Sequence, residues 1–226
     1  SGIGPASATL VNLGVMLPSL MGMLLGAGSM TGQREHGLLA LVCAQPLRRA
    51  QVATGAFLGL VRSLLVTLGI GFGSALLILA GVARGSDLPA LLALAGATAA
   101  VGAASVSIGV AVSTLVANRV QAISIAVGVW IVLSLGVDLA LAALAPSVHL
   151  GPLGLLVVVL ANPIETGRIL ALLGTNLKGT ALGPFGAYLV TTFGTLGAVA
   201  ILVATLAAWV AAPLLVARWA LTRQDL

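Results

Sequence analysis

Five side chains near the start of the chain have the chemistry and the spacing of a soft-metal site. Met16, Met23 and Met30 are seven residues apart, so on a helix they fall near one face, and His36 and Cys43 continue the series. Thioether, thiolate and imidazole ligands together suit Cu(I). However, four methionines are ordinary usage for so apolar a chain, and methionine packs well in helix bundles. We therefore interpret them as packing residues and predict no metal site.

Two ionisable residues, Asp138 and Arg62, interrupt long apolar runs later in the chain. An ionisable side chain within a membrane span indicates a functional site by default, so these two are our candidates for a transport path. Other interpretations remain open: Asp138 could reach the outer interface or accept one interhelical hydrogen bond, and Arg62 could snorkel to the membrane surface. Because no second ionisable residue lies in the run around Asp138, we predict that Asp138 does not relay protons.

A further polar group lies in "NPIETGRILALLG", which has the signature of a helix start. Asn162 is the expected N-cap, Pro163 occupies the first position, Glu165 follows three residues after the cap, and Gly174 is the stop signal. The preceding "GPLGLLVVVLA" is too short to cross a membrane. We predict two short helices at the outer surface, where Asn162, Glu165 and Arg168 are candidate residues for docking a partner through exposed polar faces. A re-entrant pair packed inside the bundle is the alternative.

The composition indicates which solvent surrounds these elements. Sixty per cent of the 226 residues are hydrophobic, 7% are charged, and the mean hydropathy is +1.20. A soluble domain carries about 25% charged residues, so this chain must be solvated by lipid. The net charge of +5 comes from scattered residues rather than from a basic face, which argues against nucleic-acid binding. The single cysteine excludes an internal disulfide.

Five apolar runs reach the roughly 20 residues that a spanning helix needs. We therefore predict an all-α, polytopic membrane helix bundle that forms one permease-sized domain over residues 1–226. It would include a cytoplasmic helix within 31–50 and the outer-surface helical loop at 146–187. The five runs cover residues 8–30, 51–82, 89–117, 121–145 and 188–217.

The second run is longer than a membrane requires, because residues 63–82 alone are enough to span it. We predict that the part before Arg62 extends out of the bilayer as a helix. Small residues spaced four apart allow close helix packing. Two sets have this spacing: Gly55, Gly59, Gly69 and Gly73 in the second run, and Ser105, Gly109 and Ser113 in the third.

The distribution of basic residues orients the chain. Cytoplasmic loops carry the excess of lysine and arginine. One side would hold Arg34, Arg48, Arg49, Arg119, Arg218 and Arg223, whereas the other would hold Arg84, Arg168 and Lys178. The first side is thus predicted to be cytoplasmic. Five spans with a cytoplasmic C-terminus put Ser1 outside, and we expect a sixth spanning helix before it.

The polar segment between the first two runs is amphipathic. Its leucines need a groove, which either the lipid interface or a partner protein could supply. The segment "TGQREHGLLALVCAQPLRRAQVATGAFLG" resembles the coupling segment of type-2 ABC transporter permeases. "GVWIVLSLGVDLALAALA", "LANPIETGRI" and "LGPFGAYL" resemble one branch of that family, the permeases that serve maturation of nitrous oxide reductase. Leu38 and Ala56 depart from the family pattern, which commonly has threonine and lysine there.

The resemblance implies a homodimeric permease of the bacterial inner membrane. ATP and Mg²⁺ would be bound by a separate cytoplasmic ATPase, since this chain has no GxxxxGK[ST] motif, and we expect no cofactor or catalytic residue here. The implied cargo is a sulfur species, delivered to a periplasmic maturation protein. Export of a lipid, drug or polymer is the alternative, and a secondary transporter without an ATPase is the second. The residues implied in ATPase coupling are Gln33, Arg34, Glu35, His36, Leu38, Leu41, Pro46, Arg48 and Arg49.

Overall fold

The computed structural model describes residues 4–37, 49–82, 88–144, 151–175 and 183–223, and every regular element within these residues is a helix. The helices are α1 (Gly4–Glu35), α2 (Arg49–Val82), α3 (Leu88–Leu115), α4 (Arg119–Ile131), α5 (Val137–Leu144), α6 (Pro152–Leu160), α7 (Pro163–Thr175) and α8 (Gly183–Arg223). A π-helical segment, Val132–Gly136, joins α4 to α5 without a break.

The predicted all-α membrane bundle is confirmed. Five helical stretches are long and apolar enough to cross a membrane, and α6 with α7 forms a bent pair that would raise the number to six if it counts as one span. The five stretches are Val11–Glu35, Ala50–Ile78, Leu88–Leu115, Arg119–Ala140 and Phe185–Arg223. Most of the expected coupling helix, including Leu38, Leu41, Pro46 and Arg48, lies outside the described residues.

Helix α3 is the centre of the bundle, and α1, α2, α7 and α8 all pack against it. Its side chains are small, so the backbone of α1 can come close. A Cβ atom on Gly26 would lie 2.5 Å from the carbonyl oxygen of Val106, and one on Gly109 would collide with the carbonyl oxygen of Met23. The hydroxyl of Ser113 accepts hydrogen bonds from the backbone nitrogens of Met30 and Thr31, at 2.9 and 3.0 Å. The predicted close packing of the small residues of α3 is therefore present.

Helix α2 differs from that expectation in two ways. First, the Cβ positions of its four spaced glycines (Gly55, Gly59, Gly69 and Gly73) have no heavy atom of another described helix within 4 Å, so these glycines do not pack against the described part of the subunit. Second, the part before Arg62 packs through Ala53 and Phe57 instead, which are buried together with Met30 and Val110. Sequence periodicity could not show this, since an apolar face suits lipid and protein equally well.

The methionine series is split by the fold. Met23 and Met30 are fully buried and pack between helices, as expected for packing residues. His36 lies in the turn after α1 and is exposed, and Cys43 lies outside the described residues.

The close contact of α1 with α3 leads to the first prediction. Gly109→Ala should lower the stability of the purified protein by about 1–3 kcal/mol, because the new methyl group overlaps the α1 backbone. The measurement is the midpoint of thermal unfolding in detergent. Gly96→Ala is the matched control, since Gly96 is also in α3 but has nothing within 4 Å of its Cβ position. Equal midpoints for the two variants would contradict the proposed contact.

Candidate functional site

Asn162 organises the end of the bundle at which α6 and α7 meet. Its side-chain oxygen accepts hydrogen bonds from the backbone nitrogens of Ile164 (2.9 Å) and Glu165 (3.4 Å), so it caps α7 as the sequence predicted. Thr166 donates its hydroxyl to the carbonyl oxygens of Val159 and Asn162, at 2.8 and 2.9 Å, and so closes the bend between α6 and α7. The two helices meet at 112°.

Asn162 also connects α7 to the span formed by α4 and α5. Its amide nitrogen donates a hydrogen bond to the carbonyl oxygen of Leu133, at 2.5 Å, within the π-helical segment. The i→i+5 pattern of a π-helix disturbs the ordinary i→i+4 ladder and makes a carbonyl available to other donors. One buried amide therefore fixes both the start of α7 and the irregular part of the neighbouring span.

The interior position of α7 corrects the expectation of an exposed docking surface. Asn162 is 1% exposed and Glu165 is 6% exposed. Helix α7 packs against α1, α3 and α8, and the Cβ position of Gly167 lies on the side chain of Val101. The two short helices exist as predicted, but α7 is packed into the bundle, as in the re-entrant alternative. A stretch of small and apolar residues suits the lipid interface and a helix contact alike, so composition could not separate the two.

Asp138 is not isolated, because α7 brings ionisable partners to it. Arg168 lies 2.7 Å from a carboxylate oxygen of Glu165 and 3.4 Å from one of Asp138. The Arg168 and Asp138 side chains are 27% and 48% exposed, so this second pair lies at the edge of the cluster. A search for partners within one span misses this arrangement, since Arg168 is 30 residues away along the chain.

A cleft of about 480 Å³ opens beside this cluster. The start of α1 forms one wall of the cleft. Helix α7 forms the other wall, to which it contributes the buried Glu165 and the half-buried Arg168. Thr9 and Asn12 are the polar residues that α1 adds, and sequence reasoning did not single them out, although both are polar positions within an apolar run. The lining residues are Thr9, Asn12, Leu13, Glu165, Arg168, Ile169 and Leu172.

At the opposite end of the bundle, the last residues of α1 hold the turn between α3 and α4. Arg34 donates a hydrogen bond to the carbonyl oxygen of Val116, at 3.1 Å. A carboxylate oxygen of Glu35 accepts one from the backbone nitrogen of Arg119, at 3.0 Å, which is the first residue of α4. A carboxylate is favourable at the positive N-terminal end of a helix. The described coupling candidates thus include two residues with defined contacts, whereas Gln33 is half-buried and His36 is exposed.

Arg62, the second candidate for a transport path, is exposed on α2 and makes no hydrogen bond or ion pair with the described part of the chain. The structure does not bring it near Asp138. Its neighbour Leu64 contacts Gly102 in the middle of α3, whereas Asp138 lies in the first turn of α5, beside Arg168 of α7.

The buried ion pair leads to the second prediction. Arg168→Met should destabilise the protein, because it leaves the charge of the buried Glu165 uncompensated. Loss of one partner of a buried ion pair lowers the free energy of unfolding by about 3–5 kcal/mol at most. The double variant with Glu165→Gln should recover most of the loss in thermal unfolding midpoint. Asp138→Asn is the matched control and should have a small effect, since that carboxylate is half exposed. If the double variant is no more stable than Arg168→Met, the pair does not hold α7 in place.

Comparison with known proteins agrees with this architecture. Residues 5–226 match the ABC-2 family transporter protein family. The chain is 31% identical over 173 residues to the "Probable ABC transporter permease protein NosY" of Pseudomonas aeruginosa, which covers 74% of this chain and 63% of that protein. It is also 31% identical over 182 residues to the protein of the same name from Stutzerimonas stutzeri, covering 78% of this chain and 66% of the relative.

The aligned region therefore spans about two-thirds of the length of each of these relatives. Since the family match extends over almost the whole chain and the described helices form a polytopic bundle, the chain belongs to the ABC-2 family of transporter proteins.

Proposed function

We propose that this chain is the membrane permease subunit of an ATP-driven transporter in the bacterial inner membrane. The observation that carries the proposal is the family match over residues 5–226 together with five helices able to span a membrane. A separate cytoplasmic ATPase would bind ATP and Mg²⁺ and hydrolyse the nucleotide. The chain itself would move the cargo, and no step of the chemistry is assigned to its own side chains.

The ATPase would act on residues 31–50. In this proposal, Leu38 and Leu41 insert into a groove of the ATPase, and Arg34 and Glu35 carry the movement onward. Support comes from the hydrogen bonds that join Arg34 and Glu35 to Val116 and Arg119, because a force on the coupling segment then reaches the turn between α3 and α4 directly. The same force reaches α2, which begins at Arg49.

A second copy of the chain would complete the transport path. The open glycines of α2 support this, because small-xxx-small patterns mark places where helices approach closely, and these glycines contact no other helix among the described residues. We propose that this face of α2, including Arg62, is directed toward the second copy. Asp138 would then lie at the outer mouth of the path, next to the cleft between α1 and α7.

The proposed cargo is a sulfur species that is passed to a periplasmic protein for maturation of a copper enzyme such as nitrous oxide reductase. This cargo is the one implied by the family resemblance of the sequence, and the similarity to two permeases named NosY is consistent with that branch of the family. The periplasmic protein would dock at the outer end, where Arg168 and Asp138 form the accessible edge of the cluster. The buried Asn162 and Glu165 would support that edge from below rather than contact the partner.

The coupling proposal predicts a loss of assembly. Leu38→Asp combined with Leu41→Asp should abolish co-purification of the ATPase, since two charges cannot enter an apolar groove, while the permease remains in the membrane fraction. Leu38→Met with Leu41→Met is the control and should retain the ATPase, because methionine conserves volume and polarity. Undiminished co-purification with the aspartate variant would refute the docking role of this segment.

The orientation gives an independent prediction. A cysteine at Asn176, in a Cys43→Ala background, should react with a membrane-impermeant maleimide added outside spheroplasts. The native Cys43, in the otherwise unchanged protein, should react only after the cells are opened, because it lies in the proposed cytoplasmic segment. The reverse labelling pattern would mean that the chain is inverted and that the ATPase cannot reach residues 31–50.

A further inference from the structure

The contacts between helices set the depth of each residue along the bundle. Gly22 meets Gly102, Gly26 meets Val106, and Met30 meets Ser113, so α1 and α3 run in the same direction and in register. Leu64 of α2 also packs on Gly102. Gly22, Gly102 and Leu64 therefore lie at one depth.

Charged residues mark the two ends of this bundle. At the inner end, Glu35 bonds to Arg119. At the outer end, Asn12 faces Glu165 and Arg168 across the cleft. Asn12 and Glu35 are separated by about 35 Å along α1 at 1.5 Å per residue, which matches a hydrocarbon core of about 30 Å. We therefore place the hydrocarbon layer between these two levels.

Arg62 lies near the middle of that layer. It precedes Leu64 by two residues, which puts it about 16 Å from the level of Glu35. An arginine side chain is too short to reach the inner headgroups from this depth. The other described arginines lie at the two ends: Arg34, Arg49, Arg119, Arg218 and Arg223 at the inner end and Arg168 at the outer end. Within the described residues, Arg62 is thus the one charged side chain at mid-depth.

No described carboxylate can neutralise Arg62. Glu35 is held at the inner end by Arg119, and Asp138 and Glu165 share Arg168 at the outer end. An unpaired charge in hydrocarbon is costly and is kept only where it serves a purpose. Simple contact with lipid does not account for Arg62.

The face of α2 around Arg62 combines open glycine backbone, hydroxyl groups and apolar side chains. Four glycines share the Arg62 side of the helix, at positions 55, 59, 69 and 73, and no other described helix comes within 4 Å of their Cβ positions. The neighbouring Ser63 and Thr67 are exposed, and their hydroxyls bond only to carbonyls of their own helix. The same side also exposes apolar side chains, Leu58 and Val66, and Arg62 is the one charged residue among the described residues on it.

We infer that Arg62 is an anion-binding residue of the transport path and that the cargo crosses the membrane as an anion. This inference rests on the proposed function, because it requires the α2 face to border the path. In a two-fold symmetric pair, two Arg62 side chains face one path, and their repulsion in a medium of low dielectric constant is relieved by an anion between them. The guanidinium offers five donors in a planar fork, which suits an oxyanion or a sulfur anion such as thiosulfate or hydrosulfide.

The test uses the full-length permease with its ATPase in nanodiscs of neutral phosphatidylcholine. Thiosulfate and hydrosulfide should each raise the thermal unfolding midpoint of the unaltered complex. In Arg62→Gln the concentration needed for half of that effect should increase roughly tenfold or more, since a charge-assisted hydrogen bond is lost. Arg62→Lys should show an intermediate shift because it keeps the charge without the fork.

Arg223→Gln is the matched control and should respond as the unaltered complex does. Arg223 is also an arginine on a spanning helix, but it lies at the inner end, 4.2 Å over the ring of Trp219. Basal ATP hydrolysis and co-purification of the ATPase are measured on every variant, so a failure of the proposed function is distinguishable from a failure of this inference.

Three outcomes would overturn the inference. The first is that neither anion affects the unaltered complex. The second is that only phosphatidylglycerol in the nanodisc has an effect that depends on Arg62, which would make a lipid headgroup the ligand. The third is that Arg62→Gln separates the two permease copies, whereas Arg62→Lys keeps them together but does not respond to either anion. This result would make Arg62 a structural ion-pair partner.

Discussion

The close contact between the backbones of α1 and α3 is the constraint on which the rest of the bundle depends. Within a membrane, helices gain little from hiding apolar surface, so association relies on van der Waals packing and interhelical hydrogen bonds. Gly26 and Gly109 allow that approach, and Ser113 adds two hydrogen bonds to the backbone of α1. Because α3 is thereby fixed, α2, α7 and α8 have a common surface on which to pack.

The span formed by α4 and α5 is held at two places, and this suggests how movement could pass through the subunit. Its first residue is bound by Glu35 at the end that leads into the coupling segment. Its π-helical segment is bound by Asn162, and Asp138 one turn later faces Arg168. A displacement at the end of α1 would therefore reach the cleft between α1 and α7 through one continuous helix whose irregular part is already bonded to α7. Irregular π-turns recur at functional sites for this reason, since they combine a regular helix with an available carbonyl.

Much of the fold could be predicted from the sequence, and the reasons are local. Hydropathy alone located the five spans, because a membrane demands about 20 apolar residues wherever the chain crosses it. The capping role of Asn162 was also predictable, because its partners are the next residues in the chain. The exposure of Glu165 was predicted wrongly, and the partner of Asp138 was missed, since both depend on how α7 is placed against distant helices.

The sequence by itself determined the class of protein, the number and approximate extent of the spans, the positions of the basic residues along the chain and the start of α7. These properties follow from composition, period and nearest neighbours. Only the tertiary structure decided that α7 is buried, that Asn162 binds the π-helical segment, and that Arg62 is exposed on α2 without an ion pair to any described carboxylate. The physical reason is that lipid and packed protein are equally apolar. The sequence of a membrane protein therefore indicates which residues avoid water. The contacts between helices decide whether each of these residues faces lipid or packed protein.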